Sequence, residues 1–371
     1  MANIKRHSAK RQKKILIFIA AALILTAGLL LFLFRDELFP SVAGSPDNAI
    51  SPGEPFSFEN STNQSFALME DYLSIASSTG LQLLDEDGNT VSREVFSMDE
   101  PCVSAGGNTC VFYDIGGTSL RAFFNKKYIE MDTEENIISA DVNSSGFLAL
   151  TTEQFGYKGG VTVFNRQGEE IYKWYSGSAY TLSSTVSTDC KRLAVLCLEE
   201  SGSIIRLFEL DREEEYASLM LPGELAYDIG CGDGGGVYVL SNDSLNFIDK
   251  SGKLDKTFLF DDNYLVDYVL SEGYCVIALS KYISGSEATL ISFSASGKEL
   301  GRADFFDSIN NISLQKSRLL VFGNAGLRLF SRELQPLKEI LGGSGYKAAL
   351  LMPDSSVLLL ASHRGEKTTF K

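Results

Sequence analysis

Histidine is nearly missing from this chain. The 371 residues hold two, His7 and His363. A device in which histidine activates serine or cysteine needs that histidine held by a third group. His7 lies in the N-terminal tail and His363 stands alone near the C-terminus, so neither anchors such a set. Tryptophan occurs once, at Trp174, and proline eight times against 33 glycines. Turn formers are plentiful while proline leaves the strand-like runs intact. Six cysteines (Cys102, Cys110, Cys190, Cys197, Cys231 and Cys275) include no C-x-x-C pair and no histidine at metal-ligand spacing. No metal and no cofactor is expected. Cys110, Cys197 and Cys275 fall in the apolar runs CVFY, LAVLC and CVIAL, where cysteine acts as a small buried hydrophobe. Cys102 and Cys110 could face each other across a hairpin, and a disulfide there stays open.

Positive charge is scarce beyond the N-terminus. Residues 1–14 carry Lys5, Arg6, Lys10, Arg11, Lys13 and Lys14 and no acid, so of 33 basic residues only 27 remain against 48 acidic ones, a net of −21. Such a surface repels phosphate backbones, and nucleic acid is not an expected partner. The same field suits cations and basic proteins, or is simply a solvated acidic surface.

Ile15 to Phe34 reads ILIFIAAALILTAGLLLFLF, with no charge and one polar residue, Thr26. At ~1.5 Å per residue this run spans ~30 Å, the hydrocarbon thickness of a bilayer. The six preceding positive charges keep residues 1–14 in the cytoplasm and send the rest across. A cleaved signal peptide has an apolar core of only ~7–15 residues, so 15–34 is read as a retained signal-anchor helix. Residues 35–64 hold Pro40, Pro46, Pro52 and Pro55 among Ser, Asn and Gly, the composition of a flexible linker.

From residue 65 to 371 helical periodicity is missing, and short apolar or alternating runs alternate with Gly, Asn, Asp and Ser clusters. Compact apolar runs centred on Ile75, Phe112, Leu150, Val195, Val239, Ile277, Val321 and Leu359 recur at steps of 37, 38, 45, 44, 38, 44 and 38. A second strand type ends in Leu84, Phe124, Phe164, Phe208, Ile248, Phe293, Phe330 and Phe370, with steps of 40, 40, 44, 40, 45, 37 and 40. Four of these ends lead into turns with an Asx or Ser three residues before glycine: Asp85–Gly88, Asn165–Gly168, Asp249–Gly252 and Ser294–Gly297. About forty residues holding four short strands is one propeller blade. The predicted fold is all-β, a propeller of about eight four-stranded blades, with seven if the incomplete first and last units merge. The last unit lacks its outer strand, and the N-terminal segment is expected to supply it.

The charged tail and apolar helix, the Pro-rich tether and units such as AYTLSSTVSTDCKRLAVLCLEESGSIIRLFELD (179–211) resemble an uncharacterised family of bacterial membrane-anchored propeller proteins, a domain of unknown function. The blades are similar to WD-repeat and quinoprotein-type propellers. The resemblance implies an extracytoplasmic propeller on the cell membrane and brings no activity with it. The chain departs from both better-known types, since Trp174 is not followed by Asp and no blade repeats a tryptophan.

Two groups of residues are candidates for a site. Asp141, Asp228 and Asp267 recur in the first strand of their units, where they either converge on the channel or satisfy donors between blades. Tyr157, Trp174, Tyr175 and Tyr180 cluster in sequence and form either a sugar- or peptide-binding surface or blade packing. The segment Gly230–Gly236 lacks the Lys-Ser/Thr and the following helix of a phosphate loop. These features point to a binding, scaffold or sensor module of the cell envelope with a protein or cell-wall ligand. The other reading is an enzyme working with channel carboxylates, as a hydrolase, a lyase or a divergent cofactor-dependent oxidoreductase.

Overall fold

Backbone donors and acceptors across the propeller region find their partners in eight antiparallel four-stranded sheets. The computed structural model describes residue 50, residues 53–61 and residues 63–370. The tail, the anchor helix expected over 15–34 and the linker up to residue 49 lie outside the described residues. Among the described residues no helix is long and apolar enough to cross a membrane.

The sheets are eight blades: 64–95, 101–132, 137–175, 180–222, 226–259, 264–305, 309–341 and 348–368, the last joined by Pro55–Ser57. Within each blade the strands follow one another from first to fourth, and first strands of neighbouring blades touch around the axis. The repeated apolar runs are the second strands. Tyr72–Ser77, Thr109–Asp114 and Tyr274–Ser280 are buried almost throughout. A neighbouring blade covers each of their faces, so they read as continuous apolar runs and not as alternation. Fourth strands such as Thr90–Val95 and Leu254–Leu259 form the rim and are largely exposed. The ring therefore has no single core. Apolar clusters fill each gap between blades, for example Tyr238, Phe247, Cys275 and Phe293 between the fifth and sixth.

The second set of markers has a structural cause. At Leu84, Phe164, Phe208, Ile248, Phe293 and Phe330 the pairing with the fourth strand slips by one residue, a β-bulge at the end of the third strand. The Asx turns form as expected. Asp249 Oδ1 accepts the N–H groups of Ser251 (2.8 Å) and Lys253 (3.0 Å), and Asn165 Oδ1 those of Gln167 (2.9 Å) and Glu169 (3.1 Å).

Closure uses the N-terminal segment. Pro55, Phe56 and Ser57 pair with Glu366, Gly365 and Arg364 and complete the eighth blade. The linker expected over 35–64 is corrected from Ile50 onward, where the chain already belongs to the propeller unit. Ile50 donates its N–H to the Leu341 carbonyl and Gly53 to that of Lys367. Proline composition marked this stretch as a tether, yet Pro55 opens an edge strand, where its missing N–H costs no ladder bond.

The hairpin reading of Cys102 and Cys110 is corrected by the register. Cys102 lies opposite Tyr113 and Cys110 opposite Ala105, and both thiols are free. Burial pushes the thiols of Cys110, Cys197 and Cys231 up to about 12, so they remain protonated and unreactive.

Candidate functional site

Antiparallel alternation gives the ring two loop faces. One carries the turns between first and second and between third and fourth strands, here the turn face. The other carries the turns between second and third strands together with the links from blade to blade, here the link face.

All three candidate aspartates sit on first strands. Asp228 and Asp267 occupy the same register, each preceding the residue that pairs with its repeat marker (Ile229 with Val239, Tyr268 with Ile277). Asp141 follows that residue (Ala140 with Leu150), two positions further along. Each of these strands carries a bulge before its aspartate, at 137/139, 226/228 and 265/267, so the bulges do not account for the offset of Asp141. Residues two apart on a strand share a face. Here that face looks toward the following blade. Asp267 Oδ2 accepts the Ile312 N–H of the seventh blade (2.8 Å) and Oδ1 accepts its own neighbour Tyr268 (2.8 Å). Asp228 accepts the Tyr268 hydroxyl (2.9 Å) and the Ile229 N–H (2.8 Å). Asp141 faces the Thr185 hydroxyl of the fourth blade, which favours its charged form.

Other blades do the same with uncharged groups. Ser65 accepts the Val103 N–H, Ser104 that of Val142, Ser313 that of Leu351, and Asn311 both accepts from and donates to Ala349. The carboxylates belong to a ring of blade-to-blade hydrogen bonds around the axis. Their lone pairs are engaged in holding inner strands in register.

That position perturbs them. Desolvation raises Asp141 and Asp267 to about 6, and for Asp141 the nearby charges of Asp228 and Glu272 add to the effect. Asp228 is raised as well, burial outweighing its two hydrogen bonds. The folded protein thus keeps the Asp141 and Asp267 protons up to about pH 6, whereas the unfolded chain releases them near 3.8. Their stabilising contribution is complete below pH 4 and is lost as pH rises through 6. Asn311 shows that an amide fills this site. Asp267→Asn is expected to raise stability at pH 7.5 by roughly 1–2 kcal/mol and to flatten the slope between pH 4 and 7. Asp267→Ala, which leaves the Ile312 N–H without its acceptor, should lower stability by about 1–3 kcal/mol. Urea unfolding across that pH range measures both; an Asn variant less stable than wild type at pH 7.5 would contradict the assignment.

The turn face is bridged at its centre. Glu272, between the first two strands of the sixth blade, reaches Ser144 of the third, accepting its N–H (2.9 Å) and its hydroxyl (2.5 Å). Asp233 donates its N–H to the Glu272 carbonyl, and Asn143 donates to that of Ser187. Four consecutive blades are tied together across this mouth. The segment Gly230–Gly236, expected as a loop, contributes here through a single 3-10 turn at Asp233–Gly235. A cavity of 370 Å³ lies beside it, with Asp233, Asp249 and Asp255 opposing Lys250 and Arg332.

The link face differs in kind. Tyr157 and Tyr175 stack at 5.1 Å, and Lys158 lies over the Tyr180 ring at 4.5 Å while donating to its hydroxyl at 2.9 Å. Three of the four aromatics picked from the sequence therefore meet on this face. Trp174 does not join them; it packs against Phe208, ring centres 5.0 Å apart, in the gap between third and fourth blades. Sequence reading missed Phe155 and Ile283, both 87% exposed, and Phe306, 75% exposed. Leu225, Tyr227, Leu259, Tyr264 and Tyr282 are also exposed. The signal was a large apolar side chain inside a polar connection. Of 17 exposed large hydrophobic residues among those described, 13 lie in link-face connections or at strand ends beside them. The other four are on rim strands, and three of these (Val91, Ile171 and Leu337) are the residues skipped at bulges.

The fold is that of known propellers. The chain is similar to Sqt1 of Saccharomyces cerevisiae (11% identity, TM-score 0.62, covering 87% of this chain and 100% of that one). It is similar to BamB from Moraxella catarrhalis (11% identity, TM-score 0.55, 87% and 98% covered) and to the C-terminal WD40 domain of Sif2 (12%, 0.61, 87% and 99%). At such identities the likeness is one of fold alone. No curated protein matches the sequence. The model of a family of unknown function, DUF5711, matches residues 54–333, and with eight four-stranded blades behind that match the chain belongs to this family.

Proposed function

We propose that this protein is a membrane-tethered binding module of the cell envelope that holds a protein partner on its link face. The observation that carries the reading is the collection of 13 exposed large hydrophobic residues on that side of the ring. Soluble proteins rarely leave contiguous apolar surface uncovered unless it is used for contact. Aromatic side chains favour this role, offering large area at low conformational cost. Opposite, the mouth is bridged through Glu272 and Ser144, and the carboxylates on the axis are committed to neighbouring blades. Tethering is supported by the uncharged run 15–34 behind six positive charges.

Photo-crosslinking in cells tests the reading. Benzoylphenylalanine in place of Phe155 or Ile283 is expected to give the same discrete protein adduct, while the same group in place of Ser251 on the turn face gives none. The paired change Phe155→Ser and Ile283→Ser should remove the adduct formed from position 306 without shifting the melting temperature. Equal adducts from both faces would sink the proposal. Extraction of membranes at alkaline pH is expected to leave the full chain in the pellet and to release a chain lacking residues 1–34; release of both would remove the tether.

A further inference from the structure

The two faces differ in charge as well as in polarity. Connections of the link face contain 13 acidic residues and three lysines, whereas turn-face connections contain 15 acidic and nine basic residues. Two of the three lysines are occupied locally, Lys158 by the Tyr180 hydroxyl and Lys347 by the Ser61 carbonyl. Acids also stand beside the apolar side chains. Glu153 precedes Phe155, Asp262 lies between Leu259 and Tyr264, Glu287 follows Ile283, and Glu134 occupies the connection before the third blade; each of these acids is exposed.

An apolar surface edged with carboxylates discriminates among partners. An uncharged or acidic partner that covered the aromatic residues would strip water from those carboxylates and give nothing in return. A partner with lysine and arginine beside apolar side chains does the reverse, since the aliphatic stems lie on the aromatic rings while the charged ends meet the acids. Anionic lipid is repelled by the same field. We propose that the link face takes a cationic polypeptide segment in which Lys or Arg alternates with large apolar residues. This rests on the link face being a docking surface and adds the chemistry of what docks.

Three fluorescein-labelled 16-residue peptides serve as probes, identical at their Leu and Phe positions and carrying Lys/Arg, Gln or Glu elsewhere. Fluorescence anisotropy with the full chain is expected to show the basic peptide binding about tenfold tighter than the Gln peptide, and the Glu peptide weakest. Raising NaCl from 50 to 300 mM should weaken the basic peptide about tenfold and leave the Gln peptide nearly unchanged. The triple change Glu134→Lys, Glu200→Lys and Asp262→Lys, all exposed, should remove the preference for the basic peptide. Phe155→Ser with Ile283→Ser should weaken basic and Gln peptides alike. Equal binding of basic and Gln peptides overturns the charge assignment and leaves docking intact. Basic-peptide binding that ignores every link-face change overturns both. No binding of any peptide, or flotation of the chain with phosphatidylcholine vesicles lacking residues 1–34 in the protein, overturns the cationic-segment proposal, and the crosslinking experiment then decides docking alone.

Discussion

Deleting residues 50–61 is expected to abolish the single cooperative unfolding transition of the propeller. This segment supplies the fourth strand of the eighth blade, and its removal leaves Arg364–Thr368 as an open edge. The damage extends past the ladder. Phe56 fills the space beside Gly365 of the eighth blade and Gly88 of the first, so close to both that a Cβ on either glycine would meet its ring. Phe58 is 7% exposed, packs against Phe66 of the first blade at 6.0 Å, and belongs to the cluster of Leu73, Ile75, Met352 and Leu358. Lys347 and Gln64 add bonds to Ser61 and Glu59. Truncating one buried phenylalanine costs about 3–5 kcal/mol, and a whole domain is stable by only about 5–15. Loss of both rings and the strand should open the circle between first and eighth blades. Phe58→Ala alone should lower stability by about 3 kcal/mol in urea unfolding. A deletion variant that melts cooperatively within a few degrees of the parent would show that closure does not depend on this segment.

Gly80→Ala is expected to be strongly damaging although the site lies outside the apolar clusters. Gly80 opens the third strand of the first blade at φ +138°, and a Cβ there would stand 2.0 Å from the Glu94 carbonyl oxygen of the fourth strand. Backbone of a paired strand cannot retreat without breaking the Gly80–Val95 and Leu81–Glu94 register. Strain of about 1–3 kcal/mol for the conformation adds to a comparable cost for overpacking, a total near 3 kcal/mol. Gly156 gives the control. It has φ +79° in an open link-face connection with nothing within 4 Å of its would-be Cβ, so Gly156→Ala should cost only about 1 kcal/mol. Similar losses at the two positions, by chemical denaturation, would show that the close approach at Gly80 is not what selects glycine.

How much of this could be read in advance follows from what leaves a local trace. A second strand covered on both faces must be apolar along its length, so YLSIA, CVFY and CVIAL announced themselves and their spacing counted eight units. The Asx turns likewise depend on four adjacent residues. Closure is another matter. Phe56 meets a strand some 300 residues away, and the prolines around it carry the local signature of a tether. The N-terminal segment was expected to complete the last blade, but only the pairing of Pro55 with Glu366 locates the strand that does so.

The candidate sites divide along the same line. Composition carries the acidity of the chain, its scarcity of histidine and its supply of aromatics, because these are properties of residues and not of their neighbours. Register decided the rest. Asp141 stands two positions along its strand from the register shared by Asp228 and Asp267, Cys102 lies opposite Tyr113, and Trp174 packs in the gap beside Phe208 while Tyr175 remains outside. Side chains on a strand alternate between faces, so a single slip reverses an assignment, and that slip is set by pairing across the sheet. The concentration of apolar residues on one side of the ring arises for a related reason: connections far apart in sequence share a face only once every strand has been paired antiparallel to the next.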